Sequence, residues 1–399
     1  MDKTILSPSI SREPNDRLAD RISFLGLEGA FQVLAKAKQL EKQGKEIIHL
    51  EIGEPDFKTP NNITKAAIQS LNSGETYYTP SSGFPELKEQ IAYYISHTRN
   101  AEVSSQEVFV TPGAKMMIFF AIMALVEKGE EVILSDPAYP TYHSLIQLVE
   151  GTPVFLTLDE NKNFTFDIKE LERKITHKTR MLILNSPQNP TGSVLSSEDL
   201  ERIAFLSKKY DFWVLSDEIY SRIVYDTPYT SYYSIHPPKN RTILIDGFSK
   251  TYAMTGWRLG YGIMPNALIE AVTKLANNTH ACTCTFVQKA GIEALAGPQE
   301  EVEKMTAEFK KRRDCIVQGL NEIPGFHCQN PGGAFYVFPN IQKTGMTSGK
   351  LADFLLEKAG VACLSGKAFG AGGEGFLRFS YANSIEKIQK ALAQIKNVL

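Results

Sequence analysis

Cysteine is scarce in this chain, and its few copies follow no recognisable pattern. The 399 residues include only Cys282, Cys284, Cys315, Cys328 and Cys363. No two of them have the Cys-x-x-Cys spacing, and an odd number argues against a disulfide framework. Cys282 and Cys284 form a close pair, but no second Cys/His pair lies at zinc spacing. We therefore expect small buried side chains here, and no metal site.

An excess of charge of either sign is absent too. Lysine and arginine together number 43, aspartate and glutamate 45, and the formal net charge is −2. The chain has neither the basic surplus that binds nucleic acid nor the acidity that keeps a chain unfolded. Its longest apolar run, Met116–Val126, is too short to cross a bilayer and predicts a buried helix. The first residues lack the apolar core of a signal peptide, so we expect a cytoplasmic protein with no nucleic acid or membrane partner.

The middle of the chain is an alternation of short apolar segments and helix-length segments. This alternation predicts an α/β fold whose central sheet is mostly parallel and sandwiched by helices. The strand candidates are Val108–Thr111, Glu131–Ser135, Val154–Leu158, Met181–Asn185, Phe212–Ser216 and Thr242–Asp246, and the helix candidates are Lys115–Glu127, Ser197–Tyr210 and Asn266–Asn277.

The C-terminal part changes character, and 399 residues exceed what one hydrophobic core comfortably serves. Two strand-like segments, Gly333–Pro339 and Phe376–Tyr381, lie among helix-length segments 299–321, 348–359 and 384–398. We expect a smaller α+β domain built from both ends of the chain. It would comprise residues 1–55, with a helix from about Glu28 to Gln43, and residues 325–399, leaving 56–324 as the large domain.

Three predicted strands are followed by polar residues that suit one heteroaromatic cofactor. Ligands bind beyond the carboxyl ends of the strands in an open parallel sheet. An aspartate just after a buried strand needs a cationic partner, such as a pyridinium nitrogen. A lysine that forms a Schiff base must react as the neutral amine, in a sheltered pocket. The residues in question are Asn189, Asp217 and Lys250; taken singly, a turn asparagine, an N-capping aspartate and a surface lysine are the ordinary alternatives.

An anion site is indicated close to the lysine. Arg258 follows Lys250 by eight residues in a glycine-marked apolar segment, and Ser249 adds a hydroxyl. Gly113 and Ala114 come where strand Val108–Thr111 runs into a helix, and small residues at a helix N-terminus leave N–H groups for an anion. The nucleotide P-loop pattern is absent.

Three motifs in this order and spacing resemble the class I/II aminotransferases, which are fold-type I pyridoxal-phosphate enzymes of the aspartate aminotransferase superfamily. They are Asn189-Pro190-Thr191-Gly192, Asp217-Glu218-x-Tyr220, and Ser249-Lys250 through Gly256-x-Arg258-x-Gly260. The resemblance runs from about Leu18 to the C-terminus. It implies a PLP-transferase fold of type I, pyridoxal 5′-phosphate as cofactor, and ping-pong transfer of an amino group from an amino acid to a 2-oxo acid.

The resemblance also implies how the cofactor is held. Lys250 would bind it covalently and carry a proton, Asp217 would pair with the ring nitrogen, and Tyr139 would stack on the ring. Asn189 and Tyr220 would bond the phenolic oxygen. The implied phosphate ligands are Gly113, Ala114, Ser249, Arg258 and, from a neighbouring subunit, Tyr78, which makes a homodimer with shared active sites the expected assembly.

For the substrate, the resemblance implies that Arg378 clamps the α-carboxylate, together with Asn189 and the Gly53 backbone N–H. Lys115 matches a position where one subgroup binds the side-chain carboxylate of the substrate, which favours aspartate and 2-oxoglutarate. Alternatively, Lys115 only adds charge at a helix start. The arginine that other subgroups supply across the dimer has no counterpart in Leu275–Phe286. Alanine or aromatic substrates, pyridoxal-phosphate C–S lyases of the same fold, and a non-catalytic sensor remain alternatives.

Overall fold

A computed structural model describes residues 18–26 and 29–399. The first 17 residues of the predicted small domain, and Glu28 at the predicted start of its helix, lie outside the described residues. The helices and strands, in chain order, are α1 (Gly29–Lys42), β1 (Ile48–His49), α2 (Asn61–Asn72), α3 (Pro85–Thr98), β2 (Val108–Thr111), α4 (Ala114–Leu125), β3 (Glu131–Asp136), α5 (Pro140–Leu148), β4 (Thr152–Thr157), α6 (Ile168–Lys174), β5 (Thr179–Asn185), α7 (Ser197–Tyr210), β6 (Trp213–Asp217), β7 (Thr242–Gly247), α8 (Phe248–Thr251), β8 (Gly260–Ile263), α9 (Asn266–Asn277), α10 (Thr285–Ala296), α11 (Glu300–Asn321), β9 (Tyr336–Val337), α12 (Ser348–Phe354), β10 (Val361–Ala362), β11 (Leu364–Ser365), β12 (Leu377–Ser380) and α13 (Ile385–Val398).

A seven-stranded sheet with the order β2-β8-β7-β6-β5-β3-β4 forms the centre of the molecule. Strands β3 to β7 pair in parallel, whereas β8 runs antiparallel to both β2 and β7. This confirms the predicted α/β fold with its mostly parallel sheet. Strand β8 was not predicted, because two of its four residues are glycines, which are uncommon in strands.

Helices cover both faces of this sheet because its strands are apolar on both sides. Within β7, Ile243 and Ile245 pack in a core cluster with α4 and α9, while Leu244 packs on the opposite face with α3 and α10. Continuous apolar strands of this kind are typical of buried parallel sheets. The run Met116–Val126 forms most of α4, as predicted.

Two smaller sheets contain the C-terminal strands: β10 pairs with the N-terminal β1, and β11, β12 and β9 form the other in the order β11-β12-β9. Their strands are shorter than the predicted segments. Helix α11 contributes Met305, Phe309 and Ile316 to the same core cluster as these strands and α13. Segment 299–321 was grouped with the C-terminal strands in the sequence analysis, although the boundary at residue 325 leaves it in the large domain. The domain boundaries at residues 55 and 325 stay a prediction.

The expectation for the close cysteine pair is wrong. Cys284 is exposed and Cys282 is only partly buried, because both lie in the connection between α9 and α10, and connections run over the surface. Within residues 18–26 and 29–399, no cluster of three or more His, Cys, Asp or Glu side chains could hold a metal ion. None of the helices in that part of the chain is long and apolar enough to cross a membrane.

Candidate active site

The polar residues that follow β5, β6 and β7 meet in one cavity. These three strands are neighbours in the sheet, and Asn185 of β5 lies opposite Asp217 of β6, so their carboxyl ends are level. The cavity beyond this edge has a volume of about 520 Å³, which is ample for a cofactor. Of the thirteen site residues expected from the sequence, eleven line it: Gly53, Ala114, Lys115, Tyr139, Asn189, Asp217, Tyr220, Ser249, Lys250, Arg258 and Arg378.

Asp217 is a buried carboxylate whose two hydrogen-bond donors among the described residues are both neutral. The Tyr142 hydroxyl donates to its Oδ2 at 2.7 Å and the Ile219 N–H donates to its Oδ1 at 3.2 Å. Burial raises the pKa of Asp217 to about 6, while these two hydrogen bonds act to lower it. Its side chain makes no ion pair among residues 18–26 and 29–399, so a cationic ligand atom would complete this site.

Tyr142, the donor to Asp217, was missed by the sequence analysis. It lies in the first turn of α5, three residues after Tyr139, and its ring packs edge-on against the Tyr139 ring at a centroid distance of 5.6 Å. Because 75 positions of sequence separate Tyr142 from Asp217, no local pattern could have indicated this contact.

Lys250 reaches the cavity from α8, the single helical turn that follows β7. Its Nζ donates a hydrogen bond to the Gly53 carbonyl oxygen at 2.6 Å, and the Phe335 ring centroid lies 5.8 Å from the same nitrogen. The amine therefore lies between the edge of the large sheet and the segment that follows β1. An amine that borders both a buried carboxylate and an apolar ring is in the sheltered setting expected for Schiff-base chemistry.

Asn189 is fixed from two sides. Its backbone N–H donates to Asn185 Oδ1 at 2.9 Å, and Asn185 in turn donates to the Asp217 carbonyl at 3.1 Å. Its side-chain Oδ1 accepts from Arg378 Nη1 at 3.0 Å. The amide nitrogen, which is a donor, therefore points away from Arg378 and suits an oxygen acceptor on a ligand.

Arg258 and the start of α4 form the anion corner that the sequence predicts. Arg258 Nη1 donates to the Thr255 carbonyl at 3.0 Å, and its guanidinium lies against Gly113, which directly precedes α4. A Cβ on Gly113, where φ is +86°, would come within 2.2 Å of Arg258 Nη2, so only glycine allows this approach. Gly113 itself does not line the cavity. A guanidinium over a helix N-terminus, with the Ser249 hydroxyl nearby, is suited to a phosphate.

Arg378 of β12 is a buried guanidinium without a carboxylate partner in the described part of the chain. Two of its nitrogens donate to oxygens, namely Nη1 to Asn189 Oδ1 and Nη2 to the Glu51 carbonyl. Its Nε is buried and has no hydrogen-bond partner among the described residues. Burial lowers the pKa of Arg378, but a guanidinium stays charged in proteins, so a ligand carboxylate would complete this site.

Further residues of the cavity were not predicted. Tyr336, Glu54 and Phe31 line it alongside Lys115, whose Nζ lies 5.5 Å from the Tyr139 ring centroid. Under the site, Arg99 pairs with both Glu218 and Asp246 at 3.1 Å and so links the ends of β6 and β7. Contacts of this kind join segments far apart in sequence, which no local pattern indicates.

Tyr78 does not reach the cavity of its own chain. It is 89% exposed, and Tyr77 beside it is 83% exposed. The predicted contact with the phosphate of a neighbouring subunit therefore stays a prediction.

Comparisons with known proteins show which family and fold the chain resembles. The family profile described as aminotransferase class I and II matches residues 45–395. The aspartate aminotransferase of Pyrococcus horikoshii is 41% identical over 384 residues, which are 96% of this chain and 97% of the relative. The structure of Thermus thermophilus aspartate aminotransferase with maleate has a TM-score of 0.92 at 34% identity, covering 96% of this chain and 99% of that chain. The aromatic aminotransferase of Pyrococcus horikoshii has a TM-score of 0.87 at 39% identity, covering 91% and 98% of the two chains.

Proposed function

This chain belongs to the aminotransferase class I and II family, and we propose that it moves the amino group of aspartate to 2-oxoglutarate with pyridoxal 5′-phosphate as cofactor. One observation carries the proposal. An amine, a buried carboxylate and a buried guanidinium, those of Lys250, Asp217 and Arg378, line a single cavity.

The residues of the cavity fit this cofactor. Asp217, a buried carboxylate with neutral donors only, suits a protonated ring nitrogen. Arg258, the Gly113–Ala114 helix start and Ser249 suit the phosphate, and the Asn189 amide and Tyr220 hydroxyl suit the phenolic oxygen. Tyr139 supplies an aromatic face. Each polar group of the cofactor would thus meet a group of opposite character.

When bound, the cofactor supplies an aldehyde that condenses with amines and a ring that accepts electrons from the substrate α-carbon. The chain's own residues do the rest. Lys250 would hold the cofactor and later, as a neutral amine, take and return the α-proton. Asp217 is ionised above pH about 6, and its negative charge would stabilise the protonated ring nitrogen. The two substrates would react in turn, as in a ping-pong mechanism.

Arg378 would bind the substrate α-carboxylate, because its Nε has no protein acceptor in the described part of the chain. Asn189, which it already contacts, and the Gly53 backbone would hold the same carboxylate. Lys115 supports a dicarboxylic substrate, since it adds a positive charge to the same cavity. The aspartate aminotransferase names of the relatives support the same choice, while the aromatic enzyme among the solved structures marks the alternative.

Assembly and location complete the proposal. Two adjacent tyrosines, Tyr77 and Tyr78, are almost fully exposed on the single chain. Large apolar side chains exposed together support a contact with another chain, so the proposed form is a homodimer with shared sites. The proposed location is the cytoplasm.

The covalent attachment is the test. Borohydride reduction of the purified protein loaded with pyridoxal phosphate should leave one adduct, mapped by mass spectrometry to Lys250. Lys250→Ala should lose both the adduct and turnover. Lys88→Ala, which removes a half-buried lysine of α3 outside the cavity, should keep both. An adduct on another lysine, or none, would overturn the assignment.

A half-reaction screen tests the substrate. The absorbance of the bound cofactor is followed after each common amino acid is added without an oxo acid. Aspartate and glutamate should convert it fastest. Release of pyruvate and ammonia in the absence of an acceptor would identify a lyase instead.

A further inference from the structure

Tyr336, the first residue of β9, joins groups that come from three separate parts of the chain. It is only 1% exposed. Its hydroxyl lies 2.8 Å from the Tyr220 hydroxyl, which follows β6. Its ring centroid lies 4.4 Å from the guanidinium carbon of Arg378. A Cβ on Gly53 would come within 2.1 Å of its hydroxyl oxygen, so the segment after β1 also packs closely on it.

We propose that Tyr336 is a positioning residue that orients the Tyr220 hydroxyl toward the cofactor and holds the Arg378 guanidinium in place for the substrate carboxylate. The proposal rests on the proposed function, because Tyr220 and Arg378 act there on the cofactor and the substrate. It goes beyond that function by giving one unpredicted side chain two separable tasks.

The hydroxyl pair carries the first task. Only one of two hydroxyls can donate in a given hydrogen bond, so Tyr220 is free to donate to a cofactor oxygen only when Tyr336 donates to Tyr220. A hydroxyl that accepts one hydrogen bond also donates a stronger one, because the two bonds polarise each other. Removing the Tyr336 hydroxyl should therefore weaken the bond from Tyr220 to the cofactor.

The state of Tyr220 is consistent with a donor. Burial holds the pKa of Tyr220 well above its ordinary value, so the hydroxyl keeps its proton. Among the described residues, the charged and titratable groups that act most on Tyr220 are Tyr336, Arg378 and Asp217. Of these, Arg378 favours and Asp217 opposes the loss of that proton.

The ring carries the second task. Arg378 has the Tyr336 ring at 4.4 Å and the Phe369 ring at 4.9 Å, and aromatic faces attract a guanidinium. The guanidinium is otherwise held by oxygens of Asn189 and Glu51. Without the Tyr336 ring, it loses one of its two aromatic neighbours and a wall of its pocket.

Two variants separate the two tasks. Tyr336→Phe removes the hydroxyl and keeps the ring, whereas Tyr336→Leu removes both. Each is loaded with pyridoxal phosphate, and two quantities are measured without turnover. One is the pH midpoint at which the absorbance of the bound cofactor changes; the other is the dissociation constant of maleate, a dicarboxylate with no amino group.

The expected results differ between the variants. A hydrogen bond to the cofactor's phenolic oxygen stabilises its anionic form, so Tyr336→Phe should raise the pH midpoint by roughly half a unit or more. Its dissociation constant for maleate should stay within about twofold. Tyr336→Leu should raise the midpoint by a similar amount. It should also raise the dissociation constant of maleate by about tenfold, since the Tyr336 ring no longer holds Arg378.

A second tyrosine pair in the same core provides a matched control. The Tyr381 hydroxyl donates to the Tyr225 hydroxyl at 3.2 Å, and the Arg313 guanidinium lies 4.9 Å from the Tyr225 ring. Neither tyrosine lines the cavity. Tyr381→Phe should therefore behave as wild type in both measurements, while thermal unfolding of the apoproteins shows whether it and Tyr336→Phe are equally stable.

The possible failures are distinguishable. If the wild-type protein binds no pyridoxal phosphate, the proposed function itself is wrong. If wild type is normal and the midpoint of Tyr336→Phe is unchanged, or is lowered because Tyr220 had been donating to Tyr336, the first task is refuted. If Tyr336→Leu keeps wild-type affinity for maleate, the second task is refuted. If the leucine variant does not fold, Tyr336→Met takes its place in this test.

Discussion

Two halves of the cavity are built in different ways. The cofactor half, Asn189, Asp217 and Lys250, follows three neighbouring strands whose backbones are paired in register. The substrate half, Gly53, Tyr336 and Arg378, comes from β9 and β12, which pair in a separate small sheet, and from the segment after β1. It contacts the cofactor half through Lys250 and Asn189. One large sheet positions the first half, whereas the second depends on how a separate small sheet packs against the segment after β1. Changes in the cofactor half should therefore abolish the reaction. Changes in the substrate half should alter the affinity for the substrate and the preference among amino acids.

The sharpest way to break this comparison is Asp217→Asn. An amide cannot offer the ring nitrogen a negative charge, so the rate of the first half-reaction should fall on the order of a thousandfold. The rate is measured by stopped-flow absorbance with aspartate. The apparent affinity for aspartate should change far less, because Arg378 is untouched. A rate within tenfold of wild type would contradict the role of Asp217.

The same variant should stabilise the apoprotein in a pH-dependent way. Burial raises the pKa of Asp217 from 3.8 to about 6, so the folded chain holds this proton more tightly than the unfolded chain. Wild type therefore loses stability as pH rises through this window, and Asp217→Asn does not. The free energy of unfolding of Asp217→Asn minus that of wild type should therefore increase by up to about 3 kcal/mol between pH 4 and pH 7.5.

A carboxylate with the opposite environment supplies the control for that measurement. Hydrogen bonds from Lys310 and Arg313 lower the pKa of exposed Asp226. The stability that Asp226 contributes is present above its unfolded pKa and is lost as pH falls. Asp226→Asn should thus lose stability at neutral pH, and the two variants should differ from wild type in opposite directions.

The same contrast explains what could be predicted from the sequence. Asn189, Asp217 and Lys250 each follow an apolar strand directly, so a linear pattern identifies them and their meeting point. Tyr142 and Tyr336 act through contacts across 75 and 116 positions of sequence, and such contacts leave no local pattern. The short strands β9 to β11, with two residues each, are likewise too short for an alternation of apolar and polar residues to mark their ends.

Arg378→Lys tests the substrate half. A lysine cannot offer the planar, bidentate donors that match a carboxylate, so kcat/KM for aspartate should fall roughly a hundredfold, mostly through weaker binding. The absorbance of the bound cofactor and its pH midpoint should change little. Steady-state kinetics and a cofactor titration measure these quantities. Arg313→Lys, which alters a buried arginine outside the cavity, is the control. A larger loss of cofactor affinity than of substrate affinity would remove the distinction between the halves.

Lys115→Ala tests whether Lys115 belongs to the cofactor half or to the substrate half. Lys115 stands in the first turn of α4, beside the anion corner of the cofactor half, yet its side chain enters the cavity near Tyr139. If Lys115 binds the substrate's side-chain carboxylate, kcat/KM should fall for aspartate and hardly at all for alanine, which has no such carboxylate. The loss for aspartate should be only about tenfold, because an exposed ion pair contributes little free energy. Lys115→Arg, which keeps the charge, should restore most of the preference. An equal loss for both substrates would instead mean that Lys115 serves the phosphate, and the choice of amino acid would then have to come from Arg378 and its neighbours alone.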